Sequence, residues 1–244
     1  MTLEITEVRR RSEHGMTRPF ICRGDDGAVY FVKGRDAGKA ALIREWICGC
    51  LGRTLGLPIA SFDIAWVPGE LIAGPASLEL DDLGDGPVFA SRERRVSELT
   101  LQSAAEIPPA LRRDVLVFDW WVKNGDRSLT ERGGNPNLFW APDSKELVII
   151  DHNVALDDTL MRDEFLADHV FRDEAETVFN DLAMRAEYTA RLESAIMQLD
   201  AATAAIPAQW RYHDADELDS VAFDWVAMKT LLSAFRTEGF WAIR

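Results

Sequence analysis

The chain has 244 residues, 47% hydrophobic and 28% charged, the composition of a folded protein with a sizeable core rather than a disordered one. Its 41 acidic and 27 basic residues give a formal net charge of −14, which argues against nucleic acid or anionic membrane as a partner, since both reward clustered Lys and Arg. No stretch reaches the roughly 18 uninterrupted apolar residues of a membrane helix, and the N-terminal "MTLEITEVRRRSEHG" has no apolar run of a secretory signal, so a cytoplasmic protein is expected.

The Arg9 to Arg11 run is the one dense basic patch, and it reads as a solvated strand end. "RPFICRGDDGAVYFVKG" places two apolar runs on either side of Asp26-Gly27, which predicts a β-hairpin. In "AGKAALIREWICGCLGRTLG", residues 37–56, apolar residues recur at helical spacing; Gly56 suits the C-terminal cap and Pro58 stops the helix. Cys48 and Cys50 lie on that helix about 200° apart, a poor chelate. With Cys22 they make an odd number of cysteines, as expected of reduced thiols. The four histidines show no zinc spacing.

"IASFDIAWV" predicts a further strand, and residues 68–92 read as loops around the short run "PVFAS". "PPALRRDVLVFDWWVKN" opens on prolines, tolerated in a first helical turn, and carries Leu111, Val115, Phe118 and Val122 on one face. "NLFW" and "ELVII" predict a second hairpin, and residues 160–200 and 216–237 predict further helices. The expected organisation is α+β: a strand-rich part, residues 1–92, and a mainly helical part, residues 93–244.

Chemistry concentrates in a few places. Lys33 ends a strand whose residues 28–32 are apolar on both faces. Alone it reads as a lysine snorkelling into water. Glu45, however, has Ala41, Leu42, Cys48 and Gly49 as its helical neighbours, a face too apolar for an unpartnered carboxylate. Its helix follows the strand of Lys33, so a Lys33–Glu45 pair is natural, and such a pair can aim a lysine at nucleotide phosphates. The second concentration is "NGDRSLTERGGNPNLFW", residues 124–140, with "ELVIIDHN" after it. A hairpin between Asn137 and Asp151 brings its two ends side by side, near Asp126. Two oxygen-bearing side chains there suit Mg²⁺, which keeps water and phosphate oxygens as its other ligands. Asp126 is placed to accept or orient the proton of an attacking hydroxyl. Read singly, each motif is turn chemistry or a capped strand exit; the ordered combination points to a phosphate-handling site.

The ordered set "YFVK", "REW", "GDR…NPNLFW" and "VIIDHN" resembles the HipA-like kinases, a branch of the protein-kinase-like fold, over most of the first 155 residues. The resemblance implies a two-lobed protein-kinase-like fold and an ATP- and Mg²⁺-dependent phosphotransferase acting on a hydroxyl, with Ser or Thr of a protein as the expected acceptor. Lys33 would contact phosphates and Glu45 would orient it. Asp126 would be the catalytic aspartate, and Asn137 with Asp151 would hold metal, Asn135 being the competing ligand. Adenine would meet the backbone of Phe89, Ala90 and Ser91, with Phe89 or Phe31 packing on the base. Two features depart from the family's pattern. "SLTERGG" lengthens the catalytic loop, and "SEHGMTRPF" offers Gly15 alone in place of a glycine-rich run, leaving Gly15, Thr17 and Arg18 to cover phosphates or simply to form a hairpin turn. The rival readings are a nucleotide- or partner-binding pseudokinase and a small-molecule kinase, whose usual "HGDxHxxN" loop is absent.

Overall fold

A computed structural model describes residues 2–13, 18–73, 80–141 and 144–242. The architecture is α+β, with a strand-rich N-terminal region and a helical C-terminal part. The chain divides into two compact units: Met1–Trp46, Ala60–Arg95 and Ala205–Phe223 form one, and Ile47–Ile59, Val96–Ala204 and Asp224–Arg244 the other.

In the first unit, β1 (Leu3–Arg11), β2 (Phe20–Gly24), β3 (Val29–Lys33), β5 (Gly86–Arg92) and β4 (Phe62–Val67) close into a barrel in that order. Closure leaves no unpaired strand edge and directs alternate side chains inward. Ile5, Phe20, Cys22, Val32, Ala65 and Val88 belong to the resulting core. The expected hairpin is β2–β3, whose turn has Gly27 at φ 79. The run "PVFAS" is part of a longer strand, β5, pairing with both β3 and β4. Helix α1 (Lys39–Thr54) leaves β3 through a short turn and ends at Gly56, whose φ of 81 suits glycine at a helix C-terminus.

The turn between β3 and α1 is tightly held. The N–H groups of Arg35 and Asp36 donate to the carbonyls of Leu83 and Asp82 at 2.9 and 2.8 Å. Arg11 pairs with both Asp36 and Asp82. Residues 205–223 pack on the same unit: the Trp210 indole donates to the Pro87 carbonyl at 2.8 Å, and Lys39, at the start of α1, donates to the Tyr212 carbonyl at 2.6 Å.

The second unit is built on the helix Pro109–Trp121, in which every residue from Val115 to Trp121 is buried. Val115, Phe118 and Val122 of the expected apolar face are buried as well as their neighbours, so this is a central helix with its whole last half in the core. The Trp120 and Trp121 indoles donate to the carbonyls of Phe240 and Leu232 at 3.1 and 2.8 Å. The second hairpin is β7 (Leu138–Ala141) with β8 (Glu146–Ile149), extended by the short β6 (Ser97–Glu98).

Two helical expectations are refined. Residues 160–200 break into Arg162–Asp168, Ala175–Asn180, Leu182–Ile196 and the start of Leu199–Ala204. The Asp181 carboxylate caps the third of these by accepting from Ala183 and Met184. The helix expected from residue 216 begins at Trp225 instead, capped by Asp224. Upstream, the Asp214 carboxylate accepts from the N–H groups of Leu218 and Asp219, and such side-chain bonds draw the backbone out of helical pairing.

A methyl group on Gly34 would lie 2.0 Å from the Leu83 carbonyl oxygen, whereas one on Gly69 meets nothing within 4 Å. Gly34→Ala is therefore expected to lower stability by about 1–3 kcal/mol and Gly69→Ala by less than about 0.5 kcal/mol, as read from urea unfolding midpoints.

Candidate active site

The first unit places the lysine and the glutamate together. Lys33 Nζ lies 2.5 Å from Glu45 Oε1, and both side chains are nearly excluded from water, at 10% and 2% exposure. In register, Lys33 pairs with Phe89, Val32 with Ala90, and Phe31 with Ser91. The residues expected to meet adenine thus share one strip of sheet with the lysine. Phe89 is buried with its ring stacked on Phe62, centroids 5.3 Å apart, while Phe31 is half-buried. Gly15 and Thr17 lie outside the described residues. Arg18, next to them, has φ 40, and its Nε donates to the Ser12 carbonyl at 3.4 Å.

The second unit gathers the loop aspartate and the hairpin ends. Asn137 Nδ2 donates to Asp126 Oδ2 at 2.7 Å and to the Asp126 carbonyl at 3.2 Å. This orientation turns the amide oxygen of Asn137 to the other side. Leu138 pairs with Ile149, and the Ile150 N–H donates to the Asn137 carbonyl at 3.2 Å, which sets Asn137 and Asp151 at adjoining strand ends. Both residues have left-handed backbones, φ 49 and φ 59. Among residues with a β-carbon, Asn and Asp adopt that conformation most readily, and it recurs where a site fixes side-chain direction. Asn135 is exposed, and its Oδ1 accepts the Asn137 N–H at 3.3 Å, forming the turn into β7.

The long insertion folds back on itself. Thr130 and Gly133 exchange backbone hydrogen bonds of 3.0 Å in both directions. Gly134, at φ 148, passes so close to Ser128 that a β-carbon would lie 2.3 Å from its carbonyl oxygen. The extra residues form a small closed turn, and the chain returns beside its point of departure.

Arg127 holds these pieces in place, a structural task that sequence reasoning missed. It is fully buried. Its Nη1 donates to the carbonyls of Pro136, Asn137 and Ile150 at 3.2, 3.0 and 2.7 Å. Its Nε donates to both carboxylate oxygens of Asp119, and its Nη2 lies 3.0 Å from His152 Nε2. A guanidinium only donates, so that histidine nitrogen accepts. His169 Nε2 and Asn124 Nδ2 complete the shell of Asp119 at 3.2 and 3.1 Å. His152 and His169 give no signal of this role in sequence, and Asp119 gives one clue, as an acidic residue inside the apolar run "VLVFDWW". Burial pushes the Asp119 carboxyl upward, but the Arg127 charge and the His169 hydrogen bond outweigh it and hold the group below its ordinary 3.8. Burial likewise drives the His169 ring below its ordinary 6.5, against the pull of Asp119.

The donor set at the β7–β8 end, an amide oxygen and a carboxylate, suits a hard cation such as Mg²⁺, which needs few protein ligands. No cluster of three or more His, Cys, Asp or Glu able to hold a metal occurs among the described residues.

Comparison with known proteins identifies the class as that of kinases. The family described as HipA-like kinase matches residues 5–244, nearly the whole chain, and the chain belongs to that family. Among solved structures, the crystal structure of a Helicobacter pylori proinflammatory kinase, CtkA, matches 98% of this chain and 95% of its own, with a TM-score of 0.43 and 12% identity. No curated protein matches the chain. No helix among the described residues is long and apolar enough to cross a membrane.

The depressed pKa values give a testable acid response. A group with a folded-state pKa below its unfolded value contributes stability that is present above the unfolded value and lost as pH falls through the folded one. The His169 contribution is therefore complete above pH 6.5 and declines below it, and that of Asp119 declines only below pH 3.8. Urea midpoints are expected to fall between pH 6.5 and 5, and to fall less steeply in His169→Gln.

Proposed function

We propose that this chain is an ATP-dependent kinase that transfers the γ-phosphoryl group to a hydroxyl, with a protein Ser or Thr as the acceptor. Family membership supports a kinase-type phosphotransferase. The observation that carries the finer reading is the buried Lys33–Glu45 pair at 2.5 Å. A buried ion pair contributes little to stability over an apolar pair of the same size. A lysine held this way is explained by a task, and kinases use such a pair to aim the lysine at nucleotide phosphates. With this reading go a two-lobed protein-kinase-like architecture and a cytoplasmic setting where ATP is at hand. Residues 1–92 serve as the nucleotide-binding part and residues 93–244 as the catalytic part.

Each side chain then has a role. Lys33 binds phosphate oxygens and Glu45 holds its ammonium in one position. The backbone of Phe89, Ala90 and Ser91 meets the adenine edge. Phe31 packs on the base, since the Phe89 ring is already stacked on Phe62. Gly15, Thr17 and Arg18 cover the phosphates. Asp126 orients the acceptor hydroxyl and receives its proton as the hydroxyl oxygen bonds to the γ-phosphorus and the bond to the bridging oxygen of ADP breaks. Asn137 orients Asp126 through its amide nitrogen and, with Asp151, would hold Mg²⁺. When bound, that ion supplies charge neutralisation on the phosphates. The use of the Asn135 oxygen in the turn supports Asn137 as the ligand.

In a transfer assay with γ-labelled ATP and Mg²⁺, the wild-type chain is expected to label itself or a protein acceptor; nucleotide binding without transfer or hydrolysis would instead identify a pseudokinase. Asp126→Asn is expected to lower turnover by about two to four orders of magnitude while leaving the fold intact, and wild-type turnover would remove Asp126 from its role. Asp151→Asn is expected to abolish the Mg²⁺-dependent part of nucleotide binding in calorimetry, and unchanged binding would remove it as a ligand.

A further inference from the structure

In the proposed mechanism Asp119 touches neither nucleotide nor acceptor, yet it is wholly buried and paired with Arg127. Every donor around it is fixed. The Phe171 N–H donates to His169 Nδ1 at 3.1 Å, so the ring proton sits on Nε2 and points at Asp119 Oδ2, 3.2 Å away. Asn124 donates to Oδ1, and Arg127 Nε donates to both oxygens. The carboxylate therefore holds the guanidinium at Nε and determines where Nη1 and Nη2 point.

Nη1 donates to the carbonyls of Pro136, Asn137 and Ile150. These peptide groups adjoin Asn137 and Asp151, whose backbones sit in a left-handed conformation. His169 is held in turn by backbone pairing: the Leu129 N–H donates to the Asp168 carbonyl at 3.1 Å, and the Val170 N–H to the Arg127 carbonyl at 2.9 Å.

We propose that Asp119 is a positioning residue for the cation ligands, acting through Arg127 to set the backbones of Asn137 and Asp151, and that His169 orients Asp119. The inference rests on the assignment of Asn137 and Asp151 as ligands. Stability alone does not account for the arrangement, because an apolar cluster of the same volume would serve the core as well. Its distinguishing property is direction: Nε faces the carboxylate, Nη2 faces His152, and Nη1 faces three carbonyls.

The test compares wild type with Asp119→Asn, which keeps the size of the side chain and removes its charge, and with His169→Leu. A non-hydrolysable ATP analogue is titrated calorimetrically with and without Mg²⁺. Amide hydrogen exchange is followed at Asn137 and Ile150 in metal-free protein. Both variants are expected to weaken the Mg²⁺-dependent part of binding by about 10–100-fold, the usual cost of losing a group that orients a ligand. Metal-free affinity is expected to stay unchanged. Exchange at Asn137 and Ile150 is expected to quicken while β3 and α1 keep wild-type protection. His169→Gln, which retains a donor toward Asp119, is expected to restore most of both properties.

Wild-type Mg²⁺ dependence and wild-type exchange at those amides in folded Asp119→Asn would overturn the proposal. Should Asp119→Asn not fold, the paired Asp119→Leu, Arg127→Met variant takes its place: rapid exchange with weakened Mg²⁺ binding supports the proposal, and intact values overturn it. If Asp151→Asn leaves Mg²⁺-dependent binding intact, the ligand assignment fails and the proposal falls with it. If Asp151→Asn abolishes that binding but Asp119→Asn does not alter it, only the positioning role fails.

Discussion

The second unit depends on the placement of one buried guanidinium. Arg127 enters the core fully desolvated, and the cost of burying its charge is offset because Asp119, three backbone carbonyls and His152 surround it. A lysine could balance the charge of Asp119, but its one ammonium nitrogen could not also face His152 and three carbonyls as three separate guanidinium nitrogens do. The central helix supplies Asp119, the loop supplies Arg127, and the hairpin supplies the carbonyls. One side chain thereby joins a helix, a loop and two strand ends that sequence separates.

The first unit solves a related problem by other means. Glu45 is brought to Lys33 because the chain leaves β3 through a turn that hardly departs from the barrel. Gly34 allows that turn to press against Leu83, and the pairing of Arg11 with Asp36 and Asp82 anchors the residues that lead into α1. The strand end and the start of the helix are then placed by local geometry, and the ion pair is a consequence of it. In both units the charged groups are directed by hydrogen bonds to backbone or by tight turns. This is how polar groups hold one geometry in a core that gains little stability from them.

The loop insertion shows why spacing is an incomplete guide to geometry. Between Arg127 and Asn135 the chain is longer than the family's pattern leads one to expect, yet the exchange of hydrogen bonds between Thr130 and Gly133 takes up the extra length. Gly134 permits the return because a side chain there would collide with Ser128. The distance between Asp126 and Asn137 is thus set by a closed turn and by Arg127, and the number of intervening residues has little influence on it.

The α+β class, both hairpins, the helix after Lys33 and the pairing of Lys33 with Glu45 are legible in the amino-acid order. Each rests on local periodicity, on turn residues, or on two elements adjacent in the chain. The order of residues also marks Asp126, Asn137 and Asp151 as a group, since a hairpin necessarily returns to its origin. The closure of the barrel, the packing of residues 205–223 on the first unit, and the network of Asp119, Arg127, His152 and His169 emerge only in the folded chain. Those features join segments far apart in sequence, and a buried aspartate or histidine has no periodic signature that reveals its partner. Local interactions repeat at short, readable intervals, whereas a buried polar network is specified only when distant segments have already packed around it.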